Sequence, residues 1–407
     1  MIRRDAQDTI HSLLKGFPIV TVTGPRQSGK TTLAKAIFPD KPYASLEDPD
    51  IRLAAQDDPR SFLARFPDGA VLDEVQRCPE IFSYLQSAVD ADGRMGLYVL
   101  TGSQQFGLLS RITQSLAGRT AFVELLTFSL GELANAGKAT DRIDQMLHTG
   151  GYPPLYDRQI GVRSWFSAYV TAYLERDVRQ VLKIQDLETF QRFVRLCAGR
   201  TGQILNFSSL ATDCGITHNT AKAWMSVLEA SYIAFQLRPH HANWNKRLVK
   251  ASKLYFYDTG LVSWLLGIQS AEQMDTHPLR GAIFETFVVS ELAKSFLNRG
   301  ERPEFYFWRD SNGVEVDLLI ERGDIAHGGR IVPVEIKSGK TVAKDFFSGL
   351  EKWLSLAGAK ATNPTLIYGG SQDFQHKGIS VRGWQKIGTA PAWGLYRKGD
   401  GSIFCIR

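Results

Sequence analysis

Residues 24–31 read Gly-Pro-Arg-Gln-Ser-Gly-Lys-Thr, and no other stretch constrains the fold of this chain as tightly. The run is a full match to G-x-x-x-x-G-K-[ST]. Ahead of it, residues 18–23 (Pro-Ile-Val-Thr-Val-Thr) are apolar and β-branched, as a buried parallel strand is expected to be. Behind it, residues 31–38 have helical spacing and stop at Pro39. A glycine loop between strand and helix turns backbone N–H groups inward around phosphate, and the helix N-terminus adds partial positive charge. The expected phosphate-binding residues are Gly24, Pro25, Arg26, Gln27, Ser28, Gly29, Lys30, Thr31 and Thr32. Lys30 is expected to reach β- and γ-phosphates, and the Thr31 hydroxyl to ligate Mg²⁺.

Downstream, Gly69-Ala-Val-Leu-Asp-Glu74 is an apolar strand that delivers two adjacent carboxylates at its end. Asp73 is expected to hold Mg²⁺ through coordinated water, and Glu74 to polarise an attacking water. A further strand, residues 97–103, ends in Ser103, which can hydrogen-bond the γ-phosphate or that water. Arg119 stands just before the strand 120–125, a place that suits either a finger reaching a neighbouring subunit's nucleotide or an ordinary surface arginine. The finger reading carries an expectation of homo-oligomers.

With 407 residues the chain is long enough for several domains. Net charge is +6, compatible with a nucleic-acid partner but no proof of one. The four cysteines (Cys78, Cys197, Cys214, Cys405) lack metal-ligand spacing, which fits a reducing compartment. The start, Met-Ile-Arg-Arg-Asp, lacks the apolar stretch of a secretion signal, and no run approaches the ~20 apolar residues of a membrane span. A cytoplasmic protein with no membrane partner is expected.

Strand and helix patterns alternate over 17–130, residues 131–200 read as mostly helical with a break at Gly150-Gly-Tyr-Pro-Pro154, and 201–260 hold a helix-turn-helix pattern followed by strands. In that pattern Gly215 falls in the turn, Thr217 caps the second helix, and Ala221, Trp224, Val227 and Leu228 form its apolar face. The segment 238–250 carries Arg238, Lys246, Arg247 and Lys250 and no acid, so it can grip phosphates as a wing. The alternative is that this region only packs or hinges.

Near the C-terminus, Glu285 shares a helical stripe with Val289 and Leu292. The strands 305–308 and 314–320 flank Asn312-Gly313, a two-residue turn signal, and 331–337 reads as a third strand. Alternation puts Glu315, Asp317 and Leu319 on one face, and Glu335 and Lys337 on one face. Asp317, Glu335 and Lys337 can therefore converge, with Glu285 above them. Such carboxylates can hold Mg²⁺ while the lysine positions or deprotonates water for phosphodiester hydrolysis. A salt bridge across a half-exposed sheet is the alternative.

Taken together these segments resemble, over essentially the whole chain, the AAA-type ATPases of bacteria and archaea that carry a C-terminal domain of unknown function. The carrying segments are Val20 to Thr31, residues 72–77 (Leu-Asp-Glu-Val-Gln-Arg), 100–104 (Leu-Thr-Gly-Ser-Gln), 115–119 (Ser-Leu-Ala-Gly-Arg), 150–153 (Gly-Gly-Tyr-Pro), 173–178 (Tyr-Leu-Glu-Arg-Asp-Val) and 254–260 (Leu-Tyr-Phe-Tyr-Asp-Thr-Gly). The last part resembles the restriction-endonuclease-like fold, with Glu285, Asp317 and Glu335-Ile-Lys337 as its signature; Val316-Asp317 stands where that signature has Pro-Asp. The resemblance implies an α/β chain: a P-loop AAA-type parallel sheet at 1–130, a helical lid at 131–200, a winged-helix domain at 201–262 and a restriction-endonuclease-like α/β domain at 275–407. It implies ATP and Mg²⁺ as cofactors. The expected function is Mg²⁺-dependent ATP hydrolysis coupled to DNA engagement, with nuclease activity left open; the alternative is an ATP-controlled switch or scaffold whose last domain only binds a partner or nucleic acid.

Overall fold

The computed structural model describes residues 1–103, 115–174, 186–240, 251–323 and 329–388. The basic segment with Lys246, Arg247 and Lys250 lies outside the described residues, as do Gln104 and most of 173–178. The chain divides into two compact units. The first holds Met1–Leu237 and Ala251–Pro303; the second holds Arg238–Lys250 and Glu304–Arg407. Among the described residues no helix is long and apolar enough to cross a membrane.

The first unit is built on strands β1 (Ile19–Gly24), β2 (Tyr43–Ser45), β3 (Val71–Asp73), β4 (Tyr98–Ser103) and β5 (Thr120–Glu124). They form a parallel sheet in the order β2-β3-β4-β1-β5. Each strand is short, and β1 and β4 are buried along their full length, as a parallel sheet covered on both faces requires. On one face Ile10, Leu33, Ala34 and Ile37, from the helices Ala6–Leu13 and Lys30–Ile37, pack on Val20, Val22, Val99 and Val123. On the other face Phe62, Ile81, Phe82, Leu85 and Val89 pack on Ile19, Leu72 and Leu100. All carboxyl ends of the strands point to one edge, and there the loops gather polar groups.

The rest of the first unit is mostly helical. The helices Leu187–Ala198, Phe207–Cys214 and His218–Ala230 meet around Trp224, whose ring lies 5.3 Å from those of Phe190 and Phe193. The turn between the last two places Gly215 in the left-handed region, and the Thr217 hydroxyl accepts the Thr220 N–H as the N-cap. Ala234–Leu237, in strand β6 (Ala234–Pro239), then pairs antiparallel with β7 (Lys253–Phe256). The long helix Arg280–Leu297, which carries Glu285, belongs to this unit.

In the second unit β8 (Phe305–Arg309), β9 (Glu315–Arg322) and β10 (Arg330–Lys337) are antiparallel. The strands β11 (Thr365–Tyr368) and β13 (Ile379–Gly383) follow β10 in parallel, and β12 (Phe374–His376) closes that edge antiparallel to β13. Arg238 and Pro239 pair in parallel with Tyr306 and Phe307 of β8. The helix Ser348–Ala357 sets Leu350 and the fully buried Trp353 against Val316, Leu319, Ile331 and Leu366. The connection from β8 to β9 is wider than the two-residue turn that Asn312-Gly313 suggests. Asp310 accepts from the backbone N–H groups of Asn312 and Val314 at 2.9 and 3.0 Å, so the loop is organised around that carboxylate instead.

Candidate nucleotide site and carboxylate pair

The phosphate loop leaves β1 at Gly24 and enters its helix at Lys30. A side chain at Gly24 would place Cβ 2.1 Å from the Leu125 carbonyl oxygen, so only glycine fits there. Gly29, at φ 90°, sits in the left-handed region directly before the helix, where glycine alone is unstrained. Gln27 adopts φ 62° without being glycine, a backbone strain of the kind that persists where neighbours over-determine a functional loop. The Lys30 ammonium donates to the carbonyls of Gly24 and Pro25 at 3.1 and 2.8 Å, which sets it across the mouth of the loop.

Thr31 stands on the first helical turn with its hydroxyl donating to Asp73 Oδ2 at 2.9 Å. These residues are 42 positions apart in sequence and meet because β3 ends beside the loop. Asp73 is buried and collects two more hydroxyls: Tyr43 donates to Oδ2 at 2.6 Å, and Thr101 donates to Oδ1. A carboxylate ringed by hydroxyl donors beside a threonine hydroxyl offers oxygen ligands of the kind Mg²⁺ can take up together with phosphate oxygens and water.

Glu74 follows in a left-handed backbone conformation, φ 55°, which turns its side chain off the strand. Gln76 donates to Glu74 Oε2 and, at 3.1 Å, to the Ser103 hydroxyl, so one amide ties the carboxylate to the end of β4. Burial pushes the Glu74 carboxyl above its ordinary range, and the positive charges of Lys30 and Arg26 pull partly the other way. A more basic carboxylate held in place near the loop is what proton abstraction from water needs.

Arg119 grips Asp90 with Nε and Nη2 at 2.6 and 2.8 Å, and the pair holds Asp90 below the usual carboxylate range. Within the chain this arginine therefore closes a fork with its own unit.

Two segments singled out in the sequence lock together behind the loop. The Gly151 N–H donates to Asp258 Oδ2 at 2.8 Å, and a Cβ on Gly150 would come 2.2 Å from Asp258 Oδ1. Pro153, next along, lies near Gly29. Tyr232, just past the helix His218–Ala230, is buried at φ 55° and shares a 2.9 Å hydroxyl hydrogen bond with Thr23, the residue before Gly24. The end of that helix is thus tied to the root of the phosphate loop.

In the second unit Asp317 and Glu335 are both buried. The last paired residues of the β9–β10 ladder are Leu318 and Val334, and the next position on each strand carries Asp317 and Glu335. Asp317 Oδ2 accepts the Ile336 backbone N–H at 2.8 Å, and Glu335 forms an ion pair with Lys337 at 2.6 Å. Glu285 lies in the first unit, where Lys253 and Tyr255 donate to its Oε1 at 2.8 and 2.5 Å.

Sequence reasoning gave no role to Tyr43, Gln76, Thr101, Asp258 or Tyr232. Gln76, Thr101 and Asp258 lie within the quoted segments 72–77, 100–104 and 254–260.

A parallel sheet with a lysine-bearing glycine loop, facing a threonine–aspartate pair and a glutamate, defines a P-loop ATPase of the AAA type, and residues 16–134 match the AAA domain family. Residues 140–272 match a domain of unknown function, DUF8612, and residues 280–386 another, DUF4143. The chain belongs to the same family as the uncharacterized proteins Rv2008c of Mycobacterium tuberculosis and Mb2031c of Mycobacterium bovis. It is 31% identical to each over 335 residues, which cover 81% of this chain and 73% of each relative. The solved Walker-type ATPase PABY2304 of Pyrococcus abyssi overlaps it with a TM-score of 0.44 at 14% identity, over 65% of this chain and 96% of that one.

Proposed function

We propose that this chain is a Mg²⁺-dependent ATP hydrolase that couples nucleotide state to DNA engagement. The observation that carries the reading is the 2.9 Å contact of Thr31 with Asp73 beside the Lys30 loop. Loop N–H groups and Lys30 take the phosphates, while Thr31 and Asp73 hold the cation. A cation held there would supply positive charge to offset the negative charge of the phosphates. Glu74, oriented by Gln76, accepts the proton of the attacking water, and Ser103 steadies that water or the γ-phosphate. Arg119 is the proposed finger for a neighbouring copy, which requires it to leave Asp90.

The helix His218–Ala230 is the proposed reading helix of a winged-helix domain, with Lys246, Arg247 and Lys250 on phosphates. The Tyr232–Thr23 hydrogen bond supports coupling between that helix and the loop. In a restriction-endonuclease-like second unit, Asp317 and Glu335 are the proposed cation ligands and Lys337 the residue that positions water. The Glu335–Lys337 ion pair at 2.6 Å favours a second reading, in which that unit binds a partner or nucleic acid without cleaving it.

The test is ATP turnover by the purified chain, with and without EDTA, in the wild type, Lys30→Ala and Glu74→Gln. Chelation is expected to abolish turnover. Equal rates in wild type and Glu74→Gln end the assignment. Salt-dependent duplex DNA binding, compared with and without ATP, tests the coupling. Cleavage with Mn²⁺ by the wild type against Asp317→Ala and Lys337→Ala separates nuclease from scaffold.

A further inference from the structure

Arg4 is almost wholly buried, and the hydrogen-bond partners of its guanidinium lie far from it in sequence. Its Nη1 donates to the Ser28 carbonyl at 2.7 Å, its Nη2 to the Leu126 carbonyl at 2.7 Å and its Nε to Glu132 at 3.0 Å, while its plane covers Phe128 at 5.0 Å. We propose that Arg4 is a positioning residue of the phosphate loop, holding the Ser28–Gly29 peptide so that the Gly29 N–H faces the phosphates of a bound nucleotide. The proposal rests on the ATP-binding reading above and adds to it a residue outside the motif.

The argument is one of peptide geometry. The described peptide bonds are trans, and in a trans peptide the C=O and the next N–H point in opposite directions. Arg4 draws the Ser28 carbonyl toward the body of the unit, so the Gly29 N–H is turned toward the concave side of the loop. Arg4 Nη1 lies 3.7 Å from where a Cβ on Gly29 would stand, an ordinary contact, so it is the φ of 90° and not the arginine that calls for glycine there. The arginine is itself fixed. Glu132 Oε1 also accepts the Asp5 N–H at 2.8 Å, and its Oε2 accepts the Ser129 N–H at 2.9 Å. The guanidinium therefore cannot swing away without leaving buried acceptors unpaired.

Both ends of the loop are set against one short segment. Gly24 packs on the Leu125 carbonyl, and Arg4 joins Ser28 to Leu126. A stability role alone would be served as well by an apolar residue of similar volume, because buried ion pairs are often neutral or worse for stability. A planar fork with several fixed donors is the feature that orients two carbonyls and a carboxylate at once, and lysine lacks it.

The experiment uses the full-length protein and steady-state MgATP turnover, with thermal midpoints measured alongside. The variants are Arg4→Lys and, as a stability control on the opposite face of the sheet, Phe62→Leu. Arg4→Lys is expected to raise KM roughly tenfold while kcat stays within about threefold, the pattern of lost ground-state binding. Phe62→Leu is expected to lower the midpoint and leave KM within about twofold. An Arg4→Lys protein that melts earlier yet keeps the wild-type KM overturns the proposal, as does an equal KM rise in both variants. Should Arg4→Lys fail to fold, Glu132→Gln loosens the guanidinium without removing it; a raised KM supports the proposal and an unchanged one overturns it. Isothermal titration of wild type with MgADP separates the two levels. Wild type that binds no nucleotide removes the ATPase reading and this proposal with it, whereas tight wild-type binding with unaltered variants removes this proposal alone.

Discussion

The carboxylates at the ends of β3 and β10 are buried to similar degrees and are satisfied in opposite ways. Asp73 accepts three hydroxyls, from Thr31, Tyr43 and Thr101. Glu335 meets a lysine two residues along its own strand, and Asp317 spends one oxygen on the Ile336 backbone. Hydroxyl donors stabilise an anion without neutralising it, whereas an ammonium does both. The first arrangement sets a carboxylate among hydroxyl donors, and the second sets one beside an ammonium, so the proposed cation roles of the two sites make different demands.

Five substitutions and one pH profile can break or sharpen this contrast. The largest effect is expected from Glu74→Gln, which removes the group that takes the proton and should lower ATP turnover by roughly 10²–10⁴ while MgADP affinity in calorimetry is retained. Next, Lys30→Ala removes the cation at the loop mouth and should weaken MgATP binding by about 2–5 kcal/mol; affinity within error of wild type would make the loop a mere turn. Asp317→Ala leaves the Ile336 N–H without its acceptor and should cost about 1–3 kcal/mol in denaturant unfolding, besides removing any Mn²⁺ site measured by titration. Loss of stability with Mn²⁺ binding unchanged would confine Asp317 to a structural part and widen the contrast.

A subtler effect is expected in the pH profile. Because burial holds Glu74 protonated to higher pH than an ordinary carboxyl, the acid limb of kcat should lie above that range, with activity rising as pH rises through it. The Gln76 hydrogen bond favours the charged form, so Gln76→Ala should move the limb to still higher pH. A limb that stays put shows that Gln76 does not orient the base. The smallest change is expected from Arg119→Ala. Its pair with Asp90 is exposed, and the melting midpoint should barely move. Turnover per chain that falls with the substitution and rises with protein concentration in the wild type would give Arg119 a role in a neighbour's site.

The nucleotide site was legible because its chemistry is contiguous: the loop is eight successive residues and Asp73-Glu74 two more. The surrounding shell was not. Tyr43 and Thr101 reach Asp73 from neighbouring strands, and nothing in strand alternation says which polar residue at a strand end will face a given carboxylate. Arg4 drew notice only as part of a charged start, yet it clasps Ser28. Asp258 caps the helix Thr259–Leu265, and only the fold brings it to Gly151. The C-terminal pair was legible as a pattern, since period-two alternation orders Glu335 and Lys337, but alternation cannot tell a metal site from an ion pair. The β8–β9 loop was misread for a related reason: Asn312-Gly313 is a strong local signal, and the carboxylate of Asp310 outcompeted it.

The separations spanned by these contacts also bear on the order in which the molecule is assembled during synthesis. Arg4 and Glu132 are 128 residues apart, while the Leu130 N–H waits for Glu291, 161 residues later, and the Phe128 carbonyl for Lys294, 166 residues later. Because a growing chain emerges N-terminus first, the clasp on the phosphate loop can close while the helix that anchors residues 128–130 has yet to leave the ribosome. We expect protease protection of the loop in stalled nascent chains to precede protection of Phe128–Leu130; simultaneous protection would show that the first unit forms only as a whole.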